Sequence, residues 1–186
     1  MKRHLRIPLF LLISLLNSLA SYASNEMSFH QLGVKTGMSD NYIQAIERDK
    51  YGFMWFATRD GLNRYDGYHF KTYTTLRQGA YNNSVEWVAE DAAGNIWIKT
   101  PVNYCFYDRE MDELDNRTEL LLHKIGIFES PRQLFIDDDK NLWCVADNTL
   151  YYYIFSDETL YKQSLPGSVN IADMACRNKR CYILMT

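Results

Sequence analysis

The chain has 186 residues, of which 15% are aromatic, with only 4 Pro and 9 Gly and a formal net charge of −3. This length suits one ordinary domain, and the composition excludes a low-complexity or disordered chain. An acidic chain without a cluster of Lys and Arg is a poor binder of nucleic acid or of anionic membranes, because neutralising phosphate requires clustered positive charge.

The first 23 residues predict an export signal that is removed from the mature protein. Three basic residues precede a nearly apolar run, Ile7–Leu16, and small residues stand at Ser21 and Ala23. The run is about half of the ~20 residues that a membrane-spanning helix requires, so cleavage before Ser24 is favoured over an uncleaved anchor. Loss of the three basic residues changes the formal charge from −3 to −6.

Three stretches of the chain repeat one pattern of turn and strand. In each copy an Asp precedes a Trp by six residues and a Tyr follows that Trp by ten: Asp49, Trp55 and Tyr65; Asp91, Trp97 and Tyr107; Asp137, Trp143 and Tyr153. The Trp residues are 42 and then 46 residues apart. A period of this length, written in short strands, predicts propeller blades.

The first copy contains every element of a four-stranded blade. In chain order these are a strand Asn41–Arg48, a turn Asp49–Gly52, a strand Phe53–Thr58, a turn Thr58–Gly61, a strand Leu62–Tyr65, a hairpin turn Asp66–Gly67 and an outer strand His69–Tyr73. Both faces of the strand Phe53–Thr58 are apolar, so we expect it to be covered on both sides. Neighbouring blades supply that cover, whereas a parallel α/β sheet needs helices for which these connections are too short.

The second and third copies vary the turn and the connection. Asp91–Gly94 keeps an Asp that accepts backbone hydrogen bonds and a Gly for the left-handed position. The third copy has Lys140 in place of that Gly, and we expect Asn141 to supply the left-handed conformation instead. The second copy also has a longer connection, Asn116–Glu129, in which Glu119–Ile125 is predicted to form a helical turn.

The third copy ends in a strand at Glu158–Lys162, and a fourth unit begins at Ser168, with Tyr182 predicted at the place of the Trp. Because Thr186 falls in mid-strand, we expect a fragment or a truncated reading frame. The predicted fold is all-β, an incomplete β-propeller of about three complete four-stranded blades and the start of a fourth. The predicted segments are a signal peptide at 1–23 and a partial propeller at 24–186, with blades at about 38–80, 81–125 and 126–167 and a partial blade at 168–186. Apolar faces left open at both ends lead us to expect aggregation of the chain expressed alone.

The repeat resembles a known family. The pattern N-x-[IV]-x-x-[IV]-x-x-D-x-x-G-x-[ILM]-W-[FI]-x-T, followed by G-L-N-R-Y-D-G and F-x-x-Y, is similar to the two-component regulator propeller repeat. The first copy fits from Met38 to Tyr73, the second loses Gly-Leu-Asn-Arg at Val102–Cys105, and the third keeps its Asp, Trp and Tyr. The resemblance covers residues 28–164 well and 168–186 weakly.

The resemblance implies the N-terminal periplasmic sensor region of a hybrid two-component system of Bacteroides-type bacteria. A full-length relative would carry about two propellers, a β-sandwich-like module, an inner-membrane span, a histidine kinase, receiver domains and often a DNA-binding output domain. Such proteins commonly sense glycans, so the implied partners are an oligosaccharide, the remainder of the same propeller and a second copy in a homodimer. No cofactor is implied.

The residues themselves give no catalytic or metal site. The repeated Asp residues are interpreted as turn residues, and the Trp residues as blade core rather than sugar-stacking platforms. The sequence Asp137-x-Asp139-x-Asn141 imitates a calcium loop but lacks the later Gly and Glu, and the His residues have no ligand spacing. No nucleophile–base pattern or phosphate loop is present.

The ligand-binding residues are not determined by the sequence. Exposed aromatic and charged loop residues are candidates for ligand contact, with rim packing or solvation as the alternative: Arg59, Tyr68, Tyr81 and Trp87. Cys105 and Cys144 lie in apolar strands as free thiols, whereas Cys176 and Cys181 flank a turn and either pair across a hairpin or stay free.

We therefore predict a glycan-sensing propeller segment that is not an enzyme in itself. An exported propeller enzyme that acts on glycans is an alternative, and it requires a pair of inward carboxylates around a central channel. A structural or adhesive propeller is a third possibility, distinguished by whether a kinase domain follows.

Overall fold

The computed structural model describes residues 29–75, 83–166, 171–177 and 180–185. The chain divides into two units, residues 1–31 and 32–186, and all the described strands belong to the second. The predicted signal peptide and Tyr81 lie outside the described residues. Within the described ranges, no helix is both long enough and apolar enough to span a bilayer.

Each of the three repeats forms one four-stranded antiparallel sheet whose strands are ordered as in the chain. The strands are β1 Ile43–Arg48, β2 Met54–Thr58, β3 Gly61–Tyr65 and β4 Phe70–Tyr73; β5 Trp87–Glu90, β6 Ile96–Lys99, β7 Tyr104–Asp108 and β8 Glu113–Asp115; β9 Pro131–Ile136, β10 Leu142–Ala146, β11 Thr149–Ile154 and β12 Thr159–Ser164. A hairpin follows, β13 Ile171–Arg177 and β14 Arg180–Met185. The helical segments are 3-10 turns at Val34–Thr36 and His123–Ile125 and a short helix α1, Glu119–Leu122. The predicted all-β class with propeller-type blades is confirmed.

The second strand of each sheet is the centre of the packing. All of β10, and every residue of β2 except Met54, is buried, so the predicted cover on both faces is confirmed. Trp55 packs with residues of the second sheet such as Ile98, and Trp97 packs with residues of the third such as Leu142. The sheets therefore pack face to face, and the apolar faces that meet at these two junctions are buried.

Tyr182 occupies the predicted register but not the predicted environment. It lies opposite Ala175 on β13, as Trp97 lies opposite Ala89 on β5. Tyr182 is 66% exposed, whereas the three strand-centre Trp side chains are at most 6% exposed.

The turn between β9 and β10 differs from the prediction at one residue. Lys140 itself adopts the left-handed conformation, with φ of 60°, at the place where Gly52 and Gly94 have φ of 92° and 91°. The reason is the turn hydrogen bond, since the Lys140 N–H donates to the Asp137 carbonyl at 2.8 Å as both Gly residues do in their own turns. Asn141 is instead fixed by its N–H, which donates to Asp137 Oδ1. A non-Gly residue in this conformation costs about 1 kcal/mol.

Several predicted strand ends are also shifted. β1 begins at Ile43 rather than Asn41, and the Tyr42 N–H bonds instead to Asp40 Oδ1. β4 begins at Phe70 because the His69 N–H bonds to Asp66 Oδ1 within the hairpin turn. β12 spans Thr159–Ser164 rather than Glu158–Lys162, since Glu158 has a left-handed φ of 49°. The helical turn predicted at Glu119–Ile125 is present.

The cysteines fall into two kinds. Cys105 and Cys144 are free and buried, and burial raises the pKa of each thiol to about 12, which keeps them unreactive at neutral pH. Cys181 is disulfide-bonded and lies opposite Cys176 in the register of the terminal hairpin.

Candidate functional site

An Asp–Trp hydrogen bond joins turn and strand in all three blades. The indole Nε1 donates to Asp Oδ2 at 3.0 Å in the first blade, 2.8 Å in the second and 2.9 Å in the third: Trp55 to Asp49, Trp97 to Asp91 and Trp143 to Asp137. The six-residue spacing in the sequence is the signal of this bond, although sequence reasoning identified only the turn. Each Trp is 0–6% exposed, so these rings are core residues and not sugar platforms.

The other oxygen of these carboxylates closes the turn. Asp49 Oδ1 accepts the N–H groups of Tyr51 and Phe53, each at 3.0 Å. Asp91 Oδ1 accepts the N–H of Asn95 at 2.9 Å. Burial raises the pKa of Asp91, against the lowering effect of the hydrogen bonds from Asn95 and Trp97. The repeated carboxylates are thus turn anchors whose oxygens are already engaged.

The residues predicted as ligand contacts do not form one site. Arg59 stacks on the Tyr42 ring, with its guanidinium carbon 3.6 Å from the ring centroid. Tyr68 is 84% exposed in the β3–β4 hairpin, and Trp87 is half-buried against the core between the second and third blades. Tyr81 lies outside the described residues.

A buried glutamate connects the turns of three blades. Glu90, whose side chain is 1% exposed, accepts the Lys50 N–H at 2.9 Å through Oε1 and the Lys140 ammonium through Oε2. The same ammonium lies 3.7 Å from Glu47 Oε1. Burial alone would lower the pKa of Lys140, but the hydrogen bond and charge of Glu90 raise it. In the other copies this position holds Arg48 and Ile136, so only the difference between copies signals the role of Glu90.

A second polar cluster holds the outer parts of the first two blades together. Asp112, with a left-handed φ of 52°, accepts hydrogen bonds from the Tyr73 and Tyr107 hydroxyls at 2.6 Å and from Arg64 at 3.3 Å. Lys71 forms an ion pair with the same carboxylate. Burial alone would raise the pKa of Asp112, but the hydrogen bonds from Lys71, Tyr107 and Tyr73 hold it well below its usual range.

The lowered pKa of Asp112 predicts a pH-dependent contribution to stability. Near pH 4 the unfolded chain binds more protons at this residue than the folded chain, so the contribution is present above about pH 4 and is lost as the pH falls below that value. We expect Asp112→Asn, which tolerates the left-handed conformation, to remove it. Urea unfolding of both proteins from about pH 6 to about pH 2 should give a difference that shrinks in acid. A difference that stays constant over this range would contradict the prediction.

A cleft of about 530 Å³ lies where the insertion 116–129 meets the second and third blades. Its walls combine aromatic, apolar and charged side chains: Asp91, Ala93, Asn95, Trp97, Leu121, Lys124, Ile125, Tyr153, Phe155 and Glu158. A second cleft of about 380 Å³ shares Ala93, Asn95, Leu121 and Lys124 and extends to Tyr51 and Arg109. The segment that the copies do not share therefore borders both clefts.

No metal site is present in the part of the chain that the structure describes: it has no group of three or more His, Cys, Asp or Glu side chains that could hold an ion. In the calcium-like sequence of the third turn, Asp137 Oδ1 instead accepts the N–H groups of Asp139 and Asn141.

Comparison with known proteins gives a local family match. The model of the two component regulator propeller matches residues 37–60. Histidine kinase P4 of Formosa agariphila is 51% identical over 37 residues, which are 20% of this chain and 3% of that protein. An extracellular domain described as part of a hybrid two component system of B. thetaiotaomicron has 16% identity and a TM-score of 0.49, covering 78% of this chain and 19% of that one. Virginiamycin B lyase from Staphylococcus aureus has 13% identity and a TM-score of 0.46, covering 80% of this chain and 50% of that one.

The matched segment contains the parts of the first blade that the other copies repeat. Residues 37–60 include β1, β2 and the Asp49–Trp55 hydrogen bond between them. The resemblance recognised in the sequence is confirmed at this level. The match to the two component regulator propeller is therefore a similarity of residues 37–60 in the first blade.

Proposed function

We propose that this chain is the signal-input segment of an exported hybrid two-component protein and that it responds to an oligosaccharide without catalysing a reaction. The observation that carries the proposal is the two-component regulator propeller repeat at residues 37–60. The identity to a histidine kinase over 37 residues supports the same class of protein.

The geometry of the repeated carboxylates supports a role without catalysis. A glycosidase needs two carboxyl groups that face the scissile bond. Here Asp49, Asp91 and Asp137 each bind a buried indole and the backbone of their own turn. Their position is therefore explained by the structure of the blades.

In the proposed arrangement the propeller lies in the periplasm and the full-length protein is anchored in the inner membrane. The partners are an oligosaccharide, the remainder of the same propeller and a second copy of the protein. Ligand binding shifts the population of one of two arrangements of the dimer, and the membrane segment relays this shift to the kinase.

The test uses the intact protein in proteoliposomes with a panel of oligosaccharides. We expect at least one oligosaccharide to bind by calorimetry and to change the rate of autophosphorylation. An intact protein that binds none of them and whose phosphorylation is unaffected would contradict the proposal. Cleavage of any member of the panel would instead support the alternative of an exported propeller enzyme.

A further inference from the structure

The two blade junctions can be compared position by position, because the repeats share one register. Junction 1 is the contact between the first and second blades, and junction 2 is the contact between the second and third. Both junctions contain the Asp–Trp hydrogen bond and the Tyr that follows the Trp by ten residues. Differences at matching positions therefore show what each junction has gained or lost.

An arginine and a tyrosine of the protein itself occupy part of junction 1. The Arg109 guanidinium lies 3.3 Å from Asp49 Oδ2 and 3.2 Å from the Gly94 carbonyl. Its carbon is 4.5 Å from the centroid of the Tyr51 ring. Arg109 comes two residues after Tyr107, and Tyr51 two residues after the turn Asp. We call Arg109 and Tyr51 the plug of junction 1.

Junction 2 lacks both residues of the plug. Phe155 stands at the position of Arg109, and Ala93 stands at the position of Tyr51. Asn95 Nδ2 donates to Asp91 Oδ2 at 2.8 Å, which replaces the guanidinium at the carboxylate. Phe155 packs edge-on against Tyr153, with ring centroids 4.9 Å apart. Both replaced positions line the cleft of about 530 Å³, whereas the cleft that Tyr51 and Arg109 line is smaller, at about 380 Å³.

The acidic residue at the rim of junction 2 lacks the two cationic donors that its counterpart has at junction 1. Glu158 matches Asp112, since each comes five residues after the repeat Tyr and each has a left-handed φ. At junction 1 the donors to Asp112 include Arg64, Lys71 and Tyr73. In the register of the sheets, the positions of Arg64 and Lys71 hold Phe106 and Asp115 at junction 2, whose side chains cannot supply those hydrogen bonds.

We propose that the cleft at junction 2 is a binding site for a neutral saccharide unit. The ring of Phe155 and the apolar side chains of the insertion suit the C–H face of a sugar ring. Glu158 accepts hydrogen bonds from sugar hydroxyls, and Lys124 on the insertion donates to them. The volume lies in the range of small-molecule sites, which combine apolar walls with a few polar groups. The ligand class rests on the proposed sensing function, whereas the location rests only on the comparison of the junctions.

The test transfers the plug into junction 2. Ala93→Tyr combined with Phe155→Arg should weaken binding of neutral disaccharides to the intact protein at least tenfold by calorimetry. Glu158→Gln changes an exposed side chain with little risk to folding, and it should weaken binding several-fold. Tyr161→Ala, at an exposed ring of the third blade that does not line the cleft, is the matched control and should bind as the wild type does.

The outcomes separate this inference from the proposed function. Binding that all variants retain would overturn the site, although oligosaccharide-dependent phosphorylation could still support the sensing function. If the double variant and Glu158→Gln both weaken binding but saccharides do not affect phosphorylation, the site is supported and the sensing function is contradicted. Absence of binding by every neutral disaccharide, or binding only by glucosamine disaccharides, would overturn the proposal.

Discussion

Asp91→Ala is expected to lower the free energy of unfolding of the second blade by about 3 kcal/mol. The substitution removes the acceptor of the Trp97 indole and of the Asn95 N–H, and Trp97 is buried. A buried donor without a partner costs about 1–3 kcal/mol. The Trp97 indole is such a donor, and the partly buried N–H and side-chain amide of Asn95 lose the same acceptor. Urea denaturation of the intact protein, with hydrogen exchange of the amides in 87–115 as the local probe, measures the loss.

A double-mutant cycle with Trp97→Phe isolates the indole hydrogen bond. Phe keeps most of the ring but has no N–H, so Asp91→Ala should cost about 1–2 kcal/mol less in the Trp97→Phe background. Equal costs in both backgrounds would show that the indole hydrogen bond contributes nothing. Asp49 and Asp137 offer the same experiment in the neighbouring blades.

Lys140→Ala is expected to lower the free energy of unfolding by about 2 kcal/mol, because it weakens the contact that Glu90 makes with the turns of the neighbouring blades. Removing one partner of a buried ion pair usually costs about 3–5 kcal/mol, because a buried charge is left without compensation. The expected cost is smaller here because Lys140 is 41% exposed and Arg109 remains 3.9 Å from the Glu90 carboxylate. Thermal and urea unfolding of the intact protein measure the change.

Lys140→Gly is the matched control for this substitution. It removes the same ion pair but places Gly at a φ of 60°, which Gly adopts without strain. We therefore expect Lys140→Gly to be more stable than Lys140→Ala by about 1 kcal/mol. A Gly variant less stable than the Ala variant would show that backbone strain at this turn is negligible.

The sequence predicts the blades because each signal is local and repeated. The six-residue Asp–Trp spacing and the strand with two apolar faces recur in three copies, whereas a pattern that arises by chance does not recur at a regular period. The strand ends are less well predicted, since they depend on side-chain hydrogen bonds such as that from the Tyr42 N–H to Asp40. The left-handed Lys140 was missed because its conformation is set by the turn hydrogen bond rather than by residue preference.

The polar contacts between blades could not be predicted in the same way. Glu90 and Lys140 are 50 residues apart and meet only because two blades bring their turns together. Arg64 and Asp112, 48 residues apart, meet for the same reason. Of the candidate ligand residues, Arg59 already has an aromatic partner, whereas cleft residues such as Phe155 and Lys124 were missed because they stand where the copies differ.

The three-turn contact of Glu90 also limits how this array of repeats can be rearranged. Repeats of similar sequence are prone to unequal recombination, which copies one unit over another. A second repeat copied into another position would bury the Glu90 carboxylate without the Lys140 ammonium, which belongs to its present neighbour. The second blade therefore cannot exchange its place in the chain without losing this ion pair, although the blades share one fold.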